Sequence, residues 1–519
     1  MQFKFQSCVV DLNTQEVQLA EKTVPIEPQV FDVISHLLKH RDRLVSRDEL
    51  IDEVWQGRFI SDSAVSTAIK LARKAIGDDG EAQSLIKTIR GRGFRFVGPV
   101  EEISPQTSNA LKSGLFAAEN LMSSVKAPAL AVLPFSGEDR SAADGLTVEL
   151  TAALTAWRYF PVVSNAAAAR FTDLTQGIEH IAQELRTRYL LHGTYRHADG
   201  RAKVQVTLTD TEHETQIWTD RIQFEAGNVF ELEEELAARI AAVVVPELEA
   251  AEARRVADKP QEDCTAWQLS MRAASLISQG SAPYLTDAEA QTKRAIELAP
   301  GLILPHALLA LVHFQKAMFG FSNANSSEAF EPTLKAAEDA LNLDQSSWIG
   351  QALVAVGQLW THHNHDRAIE HLERALDLNP SAAMTYHFAG CILGFAGALE
   401  RARSHQERLF RIDPSYTHRA SIDADLGLWH LLEENWDAAE FHLTRSVNWN
   451  PAHGRGWQRR AVLFGLLGNE KGARLALKKL DDLGLSRDIE VVLASYPFKE
   501  DMHCAIFRDG YEKALSLSR

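Results

Sequence analysis

Five short segments in the second half of the chain constrain its fold more than any other feature. AIELAP (295–300), ALNLD (340–344), ALDLNP (375–380), LFRIDP (409–414) and SVNWNP (446–451) recur, with final residues 44, 36, 34 and 37 positions apart. Each reads as the end of a helix stopped by Pro or Asp. A period in this range marks a unit that cannot bury its apolar face alone and stacks on its neighbours. Small residues such as Gly390 and Ala402 let paired helices approach closely. An all-α solenoid over 264–519, including a C-terminal cap, is therefore expected. Trp267, Trp348, Trp360, Trp429, Trp436, Trp449 and Trp457 are expected mostly in its core, with a minority lining a ligand groove.

At 519 residues the chain holds about three domains, and its charge separates them. The formal net charge is -16, yet residues 1–100 carry 14 basic and 14 acidic side chains, so the whole excess lies downstream. Within 70–95, Lys70, Arg73, Lys74, Lys87, Arg90, Arg92 and Arg95 face only Asp78, Asp79 and Glu81. A locally basic segment in an acidic chain points to a polyanion partner for that segment alone.

The same N-terminal hundred residues have a mixed pattern. Alternation at Phe3/Phe5, Cys8/Val10/Leu12, Val17/Leu19 and Val24/Ile26 predicts short antiparallel strands. Val30, Val33, Ile34, Leu37 and Leu38 then make a helical stripe after Pro28. A second helix opens at Ser46 with Glu49 as capping-box partner and runs to Trp55. A third runs from Ser61 or Asp62 to Gly77. At 100° per residue its Val65, Ile69, Ala72 and Ile76 form a core face. Ser63, Ser66, Thr67, Lys70 and Lys74 point away, with Arg73 at the flank. Two strands follow, Leu85–Ile89 and Phe94–Val97, with Gly91 and Gly93 permitting a tight turn.

The pieces LVSRDELIDEVW (44–55), DSAVSTAIKLARKAIGDD (62–79) and IKTIRGRGFRF (86–96) together resemble the OmpR/PhoB-type winged-helix DNA-binding domain, over residues 1–100. The resemblance implies that the third helix enters the major groove and the hairpin wing reaches the adjacent minor groove. Carried over, Ser63, Ser66, Thr67, Lys70, Arg73 and Lys74 contact groove and phosphates, and Thr88, Arg90, Arg92 and Arg95 form the wing contacts. Family members often have more arginines on this helix, where the present chain has Ser63, Ala68 and Leu71. No receiver domain is expected ahead of the winged helix, so signal input is expected from behind it.

Residues 101–127 read as a linker, and 128–256 as an α/β domain. ALAVLPF (129–135), FPVVS (160–164), YLLHGTYR (189–196), AKVQVTLTD (202–210) and TQIWTDRIQF (215–224) are strand-like, with helices near 145–157, 177–186 and 228–256. Asp199-Gly200 supplies a hairpin turn. This region resembles the TolB amino-terminal-like domain. The repeats resemble tetratricopeptide repeats, with Tyr386, Gly390, Ala402 and Pro414 at the expected internal positions and Asn435, Trp436, Ala439, Gly468 and Ala473 marking later ones.

Other chemistry is absent from the sequence. GxxxxGK[ST], GxGxxG and GxSxG do not occur. Cys8, Cys264, Cys391 and Cys504 have neither metal-ligand nor CxxC spacing and suit a reducing compartment. HHNHD (362–366) falls at a turn between repeat helices and is expected to be solvated. Metal, cofactor and enzymatic activity are not expected. No apolar run reaches the ~18 residues of a membrane span, so the chain is expected to be cytoplasmic. The reading is a one-component transcriptional regulator of double-stranded promoter DNA, possible as a homodimer on it. A protein partner or small-molecule effector acts at the repeat region. The alternative is a protein-interaction scaffold, or an accessory subunit of a signalling enzyme, whose winged helix no longer reads an operator.

Overall fold

A computed structural model of the chain describes residues 2–518 except 6–7, 12–15, 20–21, 56–61, 79–82, 90–92, 99–100, 104–126, 199–200, 226–228, 319–326 and the single positions 25, 27, 42, 44, 84 and 173. The chain forms two compact units, Met1–Ala118 and Glu119–Arg519.

In the first unit, strands β1 (Gln2–Phe5), β2 (Cys8–Asp11), β3 (Glu16–Leu19) and β4 (Lys22–Val24) pair antiparallel in sequence order. Helices α1 (Pro28–Lys39), α2 (Arg47–Trp55) and α3 (Asp62–Ala75) follow. A two-stranded hairpin of β5 (Ile86–Ile89) and β6 (Gly93–Phe96) comes next. Strand β7 (Glu101–Ile103) returns to pair with β1, placing Phe3 opposite Glu102. It occupies the start of the stretch read as a linker; residues 104–126 of that stretch lie outside the described residues. Alternation buries Phe3, Phe5, Val10 and Val17 on one sheet face, against Ile34 and Leu37 of α1 and Ile69 and Ala72 of α3.

The second unit starts with a sheet of order β12-β11-β10-β8, with β9 (Ser136–Gly137) beside β10. Strand β8 (Leu130–Val132) runs parallel to β10 (Tyr189–Ala198), while β11 (Arg201–Asp210) and β12 (Thr215–Glu225) continue antiparallel. The turn expected at Asp199-Gly200 joins β10 to β11 outside the described residues. Both sheet faces are covered, so β10 is apolar on both sides: Leu190 packs under α5 (Asn165–Ala168) and α6 (Ile178–Leu185). Tyr189 and Leu191 belong to the core shared with α4 (Arg140–Trp157) and α7 (Val229–Arg255).

The helical region continues from that core without a break. Its helices are α8 (Ala266–Ser278), α9 (Ala282–Leu298), α10 (Ile303–Met318), α11 (Glu331–Leu343), α12 (Trp348–His362) and α13 (His365–Leu378). Next come α14 (Ala383–Phe395), α15 (Leu399–Ile412), α16 (Arg419–Leu432), α17 (Trp436–Trp449), α18 (Gly454–Leu466) and α19 (Glu470–Asp482). Apart from the α10–α11 connection, which includes residues outside the described ones, short turns join helices packed on their sequence neighbours, so the region resembles a tetratricopeptide solenoid. The small residues act as expected: a Cβ on Gly390 would stand 2.5 Å from the Gln406 side chain of the paired helix. The array closes with α20 (Ile489–Leu493) and α21 (Asp501–Leu517). There the backbones of α18 and α21 touch so closely that a Cβ on Gly465 would overlap the Gly510 carbonyl at 1.9 Å.

The sheet and the repeats are bonded together as well as packed. Trp267 Nε1 donates to the Tyr159 carbonyl at 3.0 Å, and Trp348 Nε1 to that of Trp157 at 3.3 Å. Arg158 pairs with Asp344 and reaches Ser346 Oγ at 2.8 Å. Helix α7 extends this contact: its Ala238 and Ala242 pack on Ala383, Tyr386, Leu409 and Ile422 of the repeats. Of the seven repeat tryptophans, Trp267, Trp348, Trp360, Trp429 and Trp457 are buried, whereas Trp449 is exposed. In HHNHD, His362 and His363 are exposed at the turn, but His365 is buried, its Nε2 2.8 Å from the Pro497 carbonyl of the cap. No helix among the described residues is long and apolar enough to cross a membrane.

Candidate nucleic-acid interface

Helix α3 presents two faces. Val65, Ala68, Ile69, Ala72 and Ile76 are buried, while Thr67, Lys70, Leu71 and Lys74 are exposed. Lys74 lies in the last turn, where the helix dipole favours a cation. The side chains of Ser63 and Ser66 lie outside the described ones.

Arg73 behaves differently from the sequence expectation. Its guanidinium turns inward, only 8% exposed, and donates to the Ile86 carbonyl from Nε at 3.0 Å and from Nη2 at 2.7 Å. Nη2 also donates to Thr88 Oγ1 at 2.8 Å. The Asp78 carboxylate accepts the Ile86 N–H at 2.8 Å and stands 3.9 Å from Arg73 Nε. One residue of β5, Ile86, is thus held at both of its backbone groups, its N–H by Asp78 and its C=O by Arg73. Burial lowers the arginine's pKa, and Asp78 opposes that shift. Thr88, expected as a wing contact, is half-buried and spent on this network; its N–H donates to Gln83 Oε1 at 2.9 Å.

The hairpin is anchored on its other side by Val45, which exchanges both backbone hydrogen bonds with Phe94 at 2.9 Å. That approach requires the glycine at 93. Its φ is +139°, and a Cβ there would lie 2.1 Å from the Val45 carbonyl oxygen. Alternation along β6 buries Phe94 and Phe96 and exposes Arg95. Directly opposite Arg95 in register is Lys87, also exposed. The two side chains put two cations on the same face of the hairpin. Lys87 therefore joins the basic surface although the sequence reading did not place it among the wing contacts. The tip residues Arg90, Gly91 and Arg92 lie outside the described residues.

Two clusters of metal-type ligands occur among the described residues, and an arginine already engages the carboxylate in each. Glu49, grouped with His36 and His40, accepts from Arg43 at 2.9 and 2.6 Å. The Arg43 hydrogen bonds hold the Glu49 carboxyl down at about 2. Asp425, buried with His387 and Cys391, accepts from Arg459 Nη1 at 2.6 Å and from the Cys391 thiol at 2.8 Å.

Comparison with known proteins matches the two regions separately. Residues 21–96 fit the family model described as transcriptional regulatory protein, C terminal. The N-terminal unit carries an OmpR/PhoB-type winged-helix domain. Residues 126–241 fit the second domain of HilA/YgeH-like transcriptional regulators. The chain is 23% identical to the transcriptional regulator HilA of Salmonella typhi over 419 residues, 80% of this chain and 71% of HilA. It is 26% identical over 241 residues to a Rhizobium meliloti protein named as an adenylate cyclase, covering 45% of this chain and only 40% of that protein. Among solved structures, the Klebsiella pneumoniae RstA DNA-binding domain in complex with RstA box is similar, with 28% identity and a TM-score of 0.17 over 18% of this chain and 96% of that one.

Proposed function

We propose that the protein is a transcriptional regulator whose winged helix binds double-stranded promoter DNA. The observation that carries this reading is the basic surface of the winged-helix unit. Thr67, Lys70 and Lys74 on α3 and the facing pair Lys87 and Arg95 on the wing are all exposed, with no carboxylate on α3 between 63 and 76. Phosphates attract such a surface because each neutralising cation releases counterions. Helix α3 lies in the major groove, with Ser63 and Ser66 near base edges, and the arginines at 90, 92 and 95 follow the adjacent minor groove, where negative potential is strongest. Two protomers sit on adjacent half-sites. With Arg73 committed to the wing, α3 presents lysines rather than arginines, which favours backbone and shape readout over bidentate base contacts.

Signal input enters through the middle region, for which AVLPF and LLHGTYR support a TolB-like reading, and through the acidic repeats. To regulate, an input must bind the DNA-bound and free states with different affinity. The test is titration of the intact protein with promoter fragments and with random duplexes of equal length, over a range of salt. Selective retardation of some promoter fragments, weakening steeply with salt, is expected. Failure to retard any duplex at low salt overturns the reading. Equal retardation of every duplex would favour the second reading, a scaffold or accessory subunit of a signalling enzyme, which the inward Arg73 and the relative named as an adenylate cyclase support.

A further inference from the structure

A cavity of about 300 Å³ opens between the start of α16 and the turn joining α17 to α18. That volume is at the small end of the range for ligand sites. Its walls are the segment Ser415–Ser421 together with Trp449, Asn450 and His453. No wall residue is acidic.

The polar groups facing the cavity share one character. Arg419 forms no ion pair among the described residues. Its guanidinium lies over the rings of Phe410 and Trp449, 5.2 and 5.5 Å from their centroids, so aromatic faces hold it in place of a carboxylate. His418 is mostly covered, yet its ring nitrogens have no hydrogen-bond partner among the described residues. It is also the N-cap of α16 and makes no side-chain cap, so the first-turn N–H groups of that helix keep their positive end toward this wall.

His453 adds a directional donor. Its Nδ1 accepts the Gly456 N–H at 3.1 Å as the N-cap of α18, which places the ring proton on Nε2. Burial holds the ring neutral, down at about 3. Nε2–H then donates to Ser421 Oγ at 3.3 Å, and the Ser421 hydroxyl proton is left to donate in turn. The nearby Asp413 is engaged by Ser415, which donates its N–H and its hydroxyl at 2.9 Å each. Trp449, 55% exposed, borders the cavity and shares its ring with Arg419.

We infer that this cavity binds a small organic anion, its carboxylate or phosphate received by Arg419, His418 and Ser421 and its planar body lying on Trp449. The inference deepens the reading of the repeats as the input region and names the chemistry of the input. A guanidinium without an acid, a histidine ring N–H without a partner and a serine primed to donate place three donors on walls that hold no carboxylate.

Calorimetric titration of the full chain with benzoate and with phenyl phosphate, each to about 1 mM, tests it. One or both should bind, and the stronger identifies carboxylate or phosphate as the ligand's anionic group. Arg419→Gln and Ser421→Ala should each weaken binding by about tenfold or more, with the thermal midpoint of the chain unchanged. Binding of neither probe, or equal binding by wild type and both variants, overturns the proposal. DNA affinity measured with and without the bound probe separates the two readings. Binding that leaves DNA affinity unchanged keeps the site and removes its role as an input, while loss of DNA binding altogether leaves the site standing.

Discussion

Arg73 and Lys70 are three residues apart on one helix and are used for opposite purposes. On the proposed interface Lys70 and Lys74 each face a phosphate, so Lys70→Ala and Lys74→Ala should each lower the slope of log affinity against log salt by about one unit. Arg73→Lys keeps the charge but cannot hold the Ile86 carbonyl and Thr88 together with a planar fork. Its affinity should drop with the slope unchanged, and equal slope changes in all three variants would contradict the assignment. The helical wheel separated Val65, Ile69, Ala72 and Ile76 from Lys70 and Lys74 correctly, because that depends only on a 3.6-residue period. It left Arg73 at the flank. The partner of Arg73 lies thirteen residues on, in a strand placed by tertiary packing, and no local pattern encodes that distance. Glu49 yields a second prediction at this scale. Its folded pKa, about 2, lies below the ordinary glutamate value near 4.5, so the stability it contributes is complete above about 4.5 and is lost as pH falls toward 2. Since Arg43 is well exposed, screening reduces this to about 1 kcal/mol. Amide protection in α2, taken relative to intrinsic exchange at each pH, should fall over that window in the wild type and lose the dependence in Glu49→Gln.

At the scale of elements, the wing is positioned by two braces, Arg73 on one side and the Val45–Phe94 pair on the other. Gly93→Ala places a methyl group into the Val45 carbonyl and strains a φ of +139°, and should cost more than about 2 kcal/mol. The readout is loss of amide protection over 86–96 together with weaker DNA binding. In the repeats, α14, α16 and α18 meet at Cys391, Asp425 and Arg459. Burial alone would raise the Asp425 carboxyl, yet Arg459 holds it below the ordinary range, while burial drives the Cys391 thiol up. Asp425→Ala strands a buried guanidinium and should destabilise the chain by about 3–5 kcal/mol. Cys391→Ala should cost far less, and thermal melts compare the two. Repeat spacing announced these helices, and the three long strands of the sheet region were legible too, but FPVVS (160–164), read as strand-like, makes only an isolated bridge of Val162 with Leu130. The polar cluster was not legible, because its members come from three repeats and show no common motif.

Across the whole molecule, the sheet of the second unit and the repeats share one core from Leu130 to Ala514. Nearest-neighbour coupling in a solenoid then extends to the sheet as well. Trp267 stands at the joint, 1% exposed. Trp267→Ala should cost about 3–5 kcal/mol and shift sheet and helix signals together in calorimetry and circular dichroism. Independent shifts would show that the joint is weak. The sequence could delimit the strands and the repeats but could not reveal the shared core, since apolar surface on a strand or helix does not name the partner it meets. The close backbone contact of Gly465 with Gly510 has a consequence for assembly. Stacked repeats left open at one end tend to add further copies head to tail without limit, and here the last helix fills that face with its own backbone. A second copy is therefore kept off the face of α18 that α21 covers.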